Sequence, residues 1–210
     1  MKAVVVTEFG PPEVMQVVDA PEPVVGEGQV LIRVHAVSVN RTLDLSVREG
    51  RYPLKPVLPH VLGVDPSGEI ARVGPGVDSR KVGDRVAVSP IVSPAGKASP
   101  PLMLGVNVWG GYAEYVCVPA STTFLVPEGL DFPRATIVSR HMPTALHLLR
   151  DRARVEKDEW VLVLGAAGGL GSAGLHAARM LGARVIAGCG SEQRLKAAME
   201  LGADAGVNYG

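Results

Sequence analysis

Cysteine is scarce: Cys117 and Cys189 are the only two in 210 residues. That excludes a disulfide framework and any CxxC metal knuckle. Aromatic residues are also few, at 4%. The core must therefore come from Val, Leu, Ala and Ile. Charge of one sign is not in excess, since Lys+Arg and Asp+Glu are both 21. Such a balance gives no basic footprint for nucleic acid or for an anionic membrane. No apolar run approaches the ~20 residues that span a bilayer. At the N-terminus an acidic residue, Glu8, arrives too soon for the core of a signal peptide. A soluble, cytoplasmic protein without membrane or nucleic-acid partners is the expectation.

Glycine (25) and proline (17) are abundant, and apolar residues make up 47%. The first part of the chain reads as β-rich. Val30, Ile32, Val34 and Ala36 alternate with Leu31, Arg33, His35 and Val37, close to a period of two. Further short apolar runs at 2–7, 14–19, 61–64, 69–74, 82–89 and 112–118 are separated by turn chemistry such as Gly10-Pro11-Pro12 and Gly74-Pro75-Gly76. Many short strands between tight turns predict a barrel or sandwich. A short helix is expected around 41–49, closed by Gly50. Residues 90–110, with Pro90, Pro94, Pro100 and Pro101, read as a long loop.

From about 131 the period changes. Asp131 and Pro133 mark a helix start, and Pro143 is expected to interrupt or restart that helix. Trp160-Val161-Leu162-Val163-Leu164 is an unbroken apolar run, expected to be a strand buried on both faces. A glycine-rich turn and a helix to Leu181 follow it. A strand from Arg184, a helix capped by Ser191 and a third strand from Ala205 complete a β-α-β-α-β order. That order is one mononucleotide-binding half of a doubly wound sheet. The fold class is α/β, with domains at 1–128 and 129–210.

The turn reads Gly165-x-x-Gly168-x-x-Gly171, with Gly169 and Leu170 opening the helix and Ala167 where the commoner fingerprint has its second glycine. A helix N-terminus offers unpaired N–H groups and partial positive charge. Gly168 and Gly169 would let backbone approach a pyrophosphate, and Gly171 would let the helix pack closely on the strand. After the second strand, an NAD site calls for Asp or Glu to bond the ribose hydroxyls. Cys189-Gly190-Ser191 stands there instead, with Arg194 one turn on. The absent carboxylate, the Ser191 hydroxyl and the Arg194 charge favour the 2′-phosphate of NADPH.

The chain resembles the medium-chain dehydrogenase/reductase superfamily throughout its length. The resemblance rests on Gly63-Val64-Asp65-Pro66-Ser67-Gly68, Val73-Gly74-Pro75-Gly76-Val77, Lys81-Val82-Gly83-Asp84-Arg85-Val86, Gly110-Gly111-Tyr112-Ala113-Glu114-Tyr115, the glycine turn, and Glu200-Leu201-Gly202-Ala203-Asp204. It implies a GroES-like β-barrel catalytic domain followed by a Rossmann domain, of which the sequence to Gly210 holds the first half. Zinc members of the superfamily carry a Cys where Asn40 stands and a His where Val64 stands. Their structural-zinc lobe needs four cysteines, and 90–110 has none. No metal is therefore expected.

Asn40 and Gly50-Arg51-Tyr52-Pro53 resemble the zinc-free quinone reductase and enoyl reductase branch, where an Asn and a Tyr lie beside the nicotinamide. Thr144 matches a Thr near the nicotinamide. Arg140-His141-Met142 departs from the small apolar residues usual there. The resemblance implies hydride transfer from NADPH to a quinone or an α,β-unsaturated carbonyl. Tyr52 and Asn40 would stabilise the negative charge developing on the substrate oxygen, and Arg140 would add a charge. A homo-oligomer is expected. The alternatives are a zinc-type alcohol dehydrogenase relative and a non-catalytic dinucleotide-binding or structural protein.

Overall fold

The structure is a computed structural model that describes residues 1–93 and 100–210. The chain separates into two compact units, Met1–Ser139 and Arg140–Gly210. The long loop expected at 90–110 lies partly outside the described residues.

The first unit is a set of short antiparallel strands. They are β1 (Lys2–Val6), β2 (Met15–Asp19), β3 (Gln29–Ala36), β4 (His60–Val61), β5 (Ser67–Val73), β6 (Arg85–Val88), β7 (Ile91–Ser93), β8 (Leu102–Met103), β9 (Tyr115–Pro119) and β10 (Thr123–Leu125). A five-stranded sheet runs β10-β6-β5-β3-β9, a three-stranded sheet runs β2-β1-β4, and β7 pairs with β8. The alternation in β3 has the expected consequence on one face. Val30 and Ile32 are fully buried among Ile70, Val86, Val88, Leu104, Val116 and Val118. Leu31, on the other face, is buried as well, so the middle of β3 is covered on both sides. Between β3 and β4 lies the short helix α1 (Leu43–Arg48), which ends before Gly50 at φ +67°.

His60 on β4 is 2% exposed, and its Nε2 has no hydrogen-bond partner among the described residues. Burial pulls its pKa from 6.5 down to about 4, against a weaker opposing hydrogen bond with the Gly105 backbone. Between those two pH values the unfolded chain binds a proton at His60 that the folded chain refuses, so stability falls as pH drops through that window. The full effect is roughly 3 kcal/mol. Denaturation at pH 7 and at pH 5 should show a steep loss that His60→Phe flattens. An unchanged slope in the variant would clear His60 of the effect.

The second unit holds β11 (Trp160–Leu164), α3 (Gly169–Met180), β12 (Arg184–Cys189), α4 (Glu192–Glu200) and β13 (Ala205–Asn208). The strands are parallel in the order β11-β12-β13. Each step moves the same way across the sheet, so right-handed crossovers put α3 and α4 on one face. Leu175, Ala178, Val185, Ala187, Cys189 and Ala198 form the core between them.

Here one expectation is overturned. Trp160, Leu162 and Leu164 are 53%, 57% and 67% exposed, so β11 is not buried on both faces. Val161 and Val163 alone turn toward the helices. The expected break at Pro143 is also absent. The helix α2 (Phe132–Leu146) continues through it, started by the Asp131 carboxylate accepting from the Arg134 N–H at 2.8 Å. Pro143 is exposed, while Met142, Ala145, Leu146 and Leu149 pack against Ala173 and Ala177 of α3. That packing outweighs one missing backbone bond. A π-helical turn at His147–Arg152 follows the helix.

Candidate functional site

In the second unit, β11 ends in a turn whose first residue, Gly165, has φ +63°, a left-handed conformation that favours glycine. The Gly168 N–H bonds the Gly165 carbonyl at 2.8 Å. Gly168 is the N-cap of α3 and brings no side chain to cap it. The first N–H groups of the helix are thus left for an outside acceptor. Nothing lies within 4 Å of where a Gly165 Cβ would stand. An open turn ending on an uncapped helix N-terminus fits a pyrophosphate.

The glycines divide the work differently from the sequence expectation. A Cβ on Gly171 would overlap the Gly165 carbonyl oxygen, so this glycine seats the helix against its own turn. A Cβ on Gly169 would come 2.9 Å from His141 Nε2. The space at Gly169 is therefore taken by an imidazole from α2. Ala167 packs its methyl on the sheet–helix core, and Leu170 is 43% exposed at the helix start.

At the end of β12, Ser191 is the N-cap of α4, with its oxygen accepting from the Arg194 N–H at 3.4 Å. Its own hydroxyl hydrogen remains available. Arg194 is exposed and forms no ion pair among the described residues. Glu192 is held aside, its carboxylate accepting from Asn208 Nδ2 at 2.7 Å. Gly190 is exposed, and a Cβ there would meet the Tyr209 ring at 3.4 Å. Tyr209 is a neighbour of this site that the sequence reading missed. Pairing of Cys189 with Asn208 in register is what brings it there.

Arg140 and Thr144 belong to the part of α2 assigned to this unit. Thr144 is exposed, away from the Ala145 packing face. Arg140 buries its Nε without a hydrogen-bond partner among the described residues.

In the first unit, Asn40 and Tyr52 flank α1. The Asn40 N–H donates to Asp44 Oδ2 at 2.7 Å, and its Nδ2 donates to Ser38 Oγ at 3.0 Å and to Asp65 Oδ2 at 3.2 Å. Asp65 is fully buried and also accepts from the Ser38 N–H at 3.0 Å and the Ser38 hydroxyl at 2.5 Å. Tyr112 donates its hydroxyl to Asp44 Oδ2 at 2.7 Å. Burial, then the Asp44 bond, raise the Tyr112 pKa, so it acts as an O–H donor throughout the working range. Ser38, Asp44 and Tyr112 were not singled out from sequence as site residues. The Asn40-x-x-x-Asp44 spacing at a helix start was the available signal. Tyr52 packs its ring on the cluster of Val6, Leu43, Val47, Leu62, Val64 and Val106, and its hydroxyl has no partner among the described residues. Among the described residues, no three His, Cys, Asp or Glu side chains gather as a metal site.

These features define a medium-chain dehydrogenase/reductase: the chain belongs to that superfamily, with a GroES-like unit followed by a partial Rossmann-type unit. Residues 26–128 match the alcohol dehydrogenase GroES-like domain. Within the superfamily it is quinone oxidoreductase-like. It is 37% identical to human quinone oxidoreductase over 210 residues, all of this chain and 59% of that protein. A solved NAD-dependent alcohol dehydrogenase superposes with a TM-score of 0.93 at 39% identity, covering 100% of this chain and 64% of that one. A mycobacterial protein solved in complex with NADPH gives 0.82 at 34% identity, with 100% and 59% covered. The chain thus spans about three-fifths of the length of these relatives. No helix among the described residues is long and apolar enough to cross a membrane.

Proposed function

We propose that this chain is the barrel and first nucleotide-binding half of an NADPH-dependent, zinc-independent oxidoreductase acting on a quinone or an α,β-unsaturated carbonyl. When bound, NADPH supplies a hydride to the electron-poor carbon of such a substrate. The observation that carries the reading is the side-chain set at Asn40, Val64 and Asp65. Val64 is sealed in the apolar core, and the amide of Asn40 is committed to Asp65 and Ser38. This donor set does not fit Zn²⁺, which takes thiolate, imidazole and carboxylate in tetrahedral array. Stabilisation of the developing oxyanion then falls to hydrogen-bond donors and cations of the chain. The free hydroxyl of Tyr52 is the donor, Asn40 contacts the ligand through its carboxamide, and Arg140 adds positive charge. The glycine turn with the α3 N-terminus would hold the pyrophosphate, and Thr144 a group near the nicotinamide. Gly190, Ser191 and Arg194 would hold the ribose 2′-phosphate.

In a form active on a quinone or enone, Tyr52→Phe should lower turnover far more than cofactor affinity. Unchanged kinetics would leave Tyr52 as a core residue only. Cofactor choice is tested separately. Arg194→Ala should weaken NADPH binding by about 1–2 kcal/mol and leave NADH nearly untouched, because only NADPH presents a dianion to that guanidinium. Equal losses for both cofactors would refute the assignment. The likeness to an alcohol dehydrogenase keeps a second reading, a zinc-type alcohol dehydrogenase relative. One tightly held zinc per chain by elemental analysis would favour it.

A further inference from the structure

We propose that Asp65, with Ser38, is a positioning residue that locks the Asn40 carboxamide with its oxygen outward, so that Asn40 meets its ligand as a hydrogen-bond acceptor. Three donors converge on the buried Asp65 carboxylate: the Ser38 N–H, the Ser38 hydroxyl and Asn40 Nδ2. A carboxylate receiving three donors has only lone pairs to offer. Ser38 gives its single hydroxyl hydrogen to Asp65 at 2.5 Å, so toward Asn40 it too has only lone pairs. The inward end of the Asn40 amide therefore faces two acceptors. Its NH2 must point in, because the opposite flip would set Oδ1 against the Asp65 charge. The NH2 is thereby held by two acceptors, at 3.0 Å and 3.2 Å from its nitrogen. The backbone of the same residue is held on the other side, its N–H on Asp44 and its carbonyl accepting from the Asp44 N–H at 2.9 Å. Oδ1 takes no hydrogen bond among the described residues.

This alters the role expected for Asn40. An outward Oδ1 does not stabilise an oxyanion; it accepts a hydrogen. Resting on the quinone and enone reading, the fitting ligand group is the O–H of the reduced form, a hydroquinone or an enol. The quinone carbonyl has no such hydrogen. The contact therefore appears only once the substrate oxygen has been protonated, and it favours the reduced ligand. The division of labour follows: Tyr52 donates a hydrogen bond to the oxygen as it gains charge, a proton from solvent water converts that oxyanion to a hydroxyl, and Asn40 then accepts from the hydroxyl.

The test uses nuclear magnetic resonance on the 210-residue chain labelled with ¹⁵N-asparagine. Three asparagines, Asn40, Asn107 and Asn208, give three side-chain NH2 pairs, and the Asn40 pair is assigned by its loss in Asn40→Ser. In the wild type that pair should exchange slowly with water, protected through the hydrogen bonds its nitrogen makes to Ser38 and Asp65. Asp65→Leu, which is close in size, removes the charge and adds no labelled amide, should speed that exchange by about tenfold, one hydrogen bond's worth. The Asn107 and Asn208 pairs should stay unchanged, reporting an intact fold. Should those control pairs also change, Ser38→Ala is the second variant, and it should speed the Asn40 exchange by removing one of its two acceptors. Solvent-rate exchange of the Asn40 pair in the wild type, or no response to either variant, overturns the proposal. Ligand chemistry is read by adding hydroquinone, and separately its dimethyl ether, which has no O–H. Hydroquinone alone should shift the Asn40 resonances. Equal shifts from both overturn the acceptor role. No shift from hydroquinone, with the exchange pattern as expected, overturns the quinone reading and leaves the positioning by Asp65 standing.

Discussion

Gly171→Ala is expected to unfold the start of α3 and to abolish dinucleotide binding. The added methyl would overlap the Gly165 carbonyl oxygen and lie 2.8 Å from Ala166 Cα. Both are backbone atoms of the turn itself, so no flexible side chain can yield. Ala166 is fully buried, and its N–H bonds the Gly188 carbonyl at 3.2 Å, which pins the turn to β12. Relief requires α3 to move off β11, at a cost of about 3 kcal/mol, the upper end of core overpacking. Moving the helix also re-aims the N–H groups that would hold a pyrophosphate. Gly174→Ala, three residues on, is the control. Its methyl would touch Val163 Cγ1 at 3.5 Å, an ordinary contact, and better helix propensity would add up to about 1 kcal/mol of stability. Trp160 fluorescence in a Trp109→Phe background would follow the melting of the second unit, and an NADPH titration would follow the site. A Gly171→Ala protein with wild-type melting and binding would show that the turn has slack the geometry denies.

The same glycine illustrates what was legible beforehand. The strand–glycine–helix order is a local pattern, and local patterns survive folding. The alternation of β3, the Asp131 helix start, the Ser191 cap and the parallel β11-β12-β13 order could all be read for that reason. Three features depended on distant partners and could not be read. Pro143 sits inside α2 because Met142, Ala145, Leu146 and Leu149 find α3, some thirty residues away in sequence. Gly169 is shaped by His141, which no spacing rule links to it. Asn40 could be named from the sequence as a candidate site residue. Its orientation could not, because that is set by Asp65, 25 residues on, through a hydrogen-bond direction that residue type alone does not carry. The β11 face was misjudged for another reason: a continuous apolar run states that both faces can be buried, not that both are.

That face yields the last expected result, self-association of the 210-residue chain through its second unit. Residues opposite one another in the register share a face. Leu162 therefore lies beside Ile186 and Ala205, and Leu164 beside Gly188 and Val207. Trp160 lies beside Arg184, whose guanidinium sits 5.6 Å over the indole ring. Leu162, Leu164, Trp160 and Val207 are each more than half exposed, and neither α3 nor α4 lies on their side of the sheet. Parallel sheets are normally covered on both faces. A contiguous apolar patch of this kind drives association or the binding of hydrophobic dyes. Among the described residues β11 is in addition an edge strand, with one side of its backbone unpaired along an apolar segment. Sedimentation of the chain at micromolar concentration should show dimers or larger species, with strong binding of an anilinonaphthalene dye. Leu162→Lys places a charge at the centre of the patch, where the side chain is already 57% exposed, so the fold should tolerate it while association falls by about tenfold or more. Leu148→Lys makes the same change at a residue 47% exposed on the π-helical turn, away from that face, and should leave association as it is. A wild-type chain that sediments as a monomer and ignores the dye would mean that the face is covered in solution. A Leu162→Lys chain that associates as before would move the contact elsewhere on the surface.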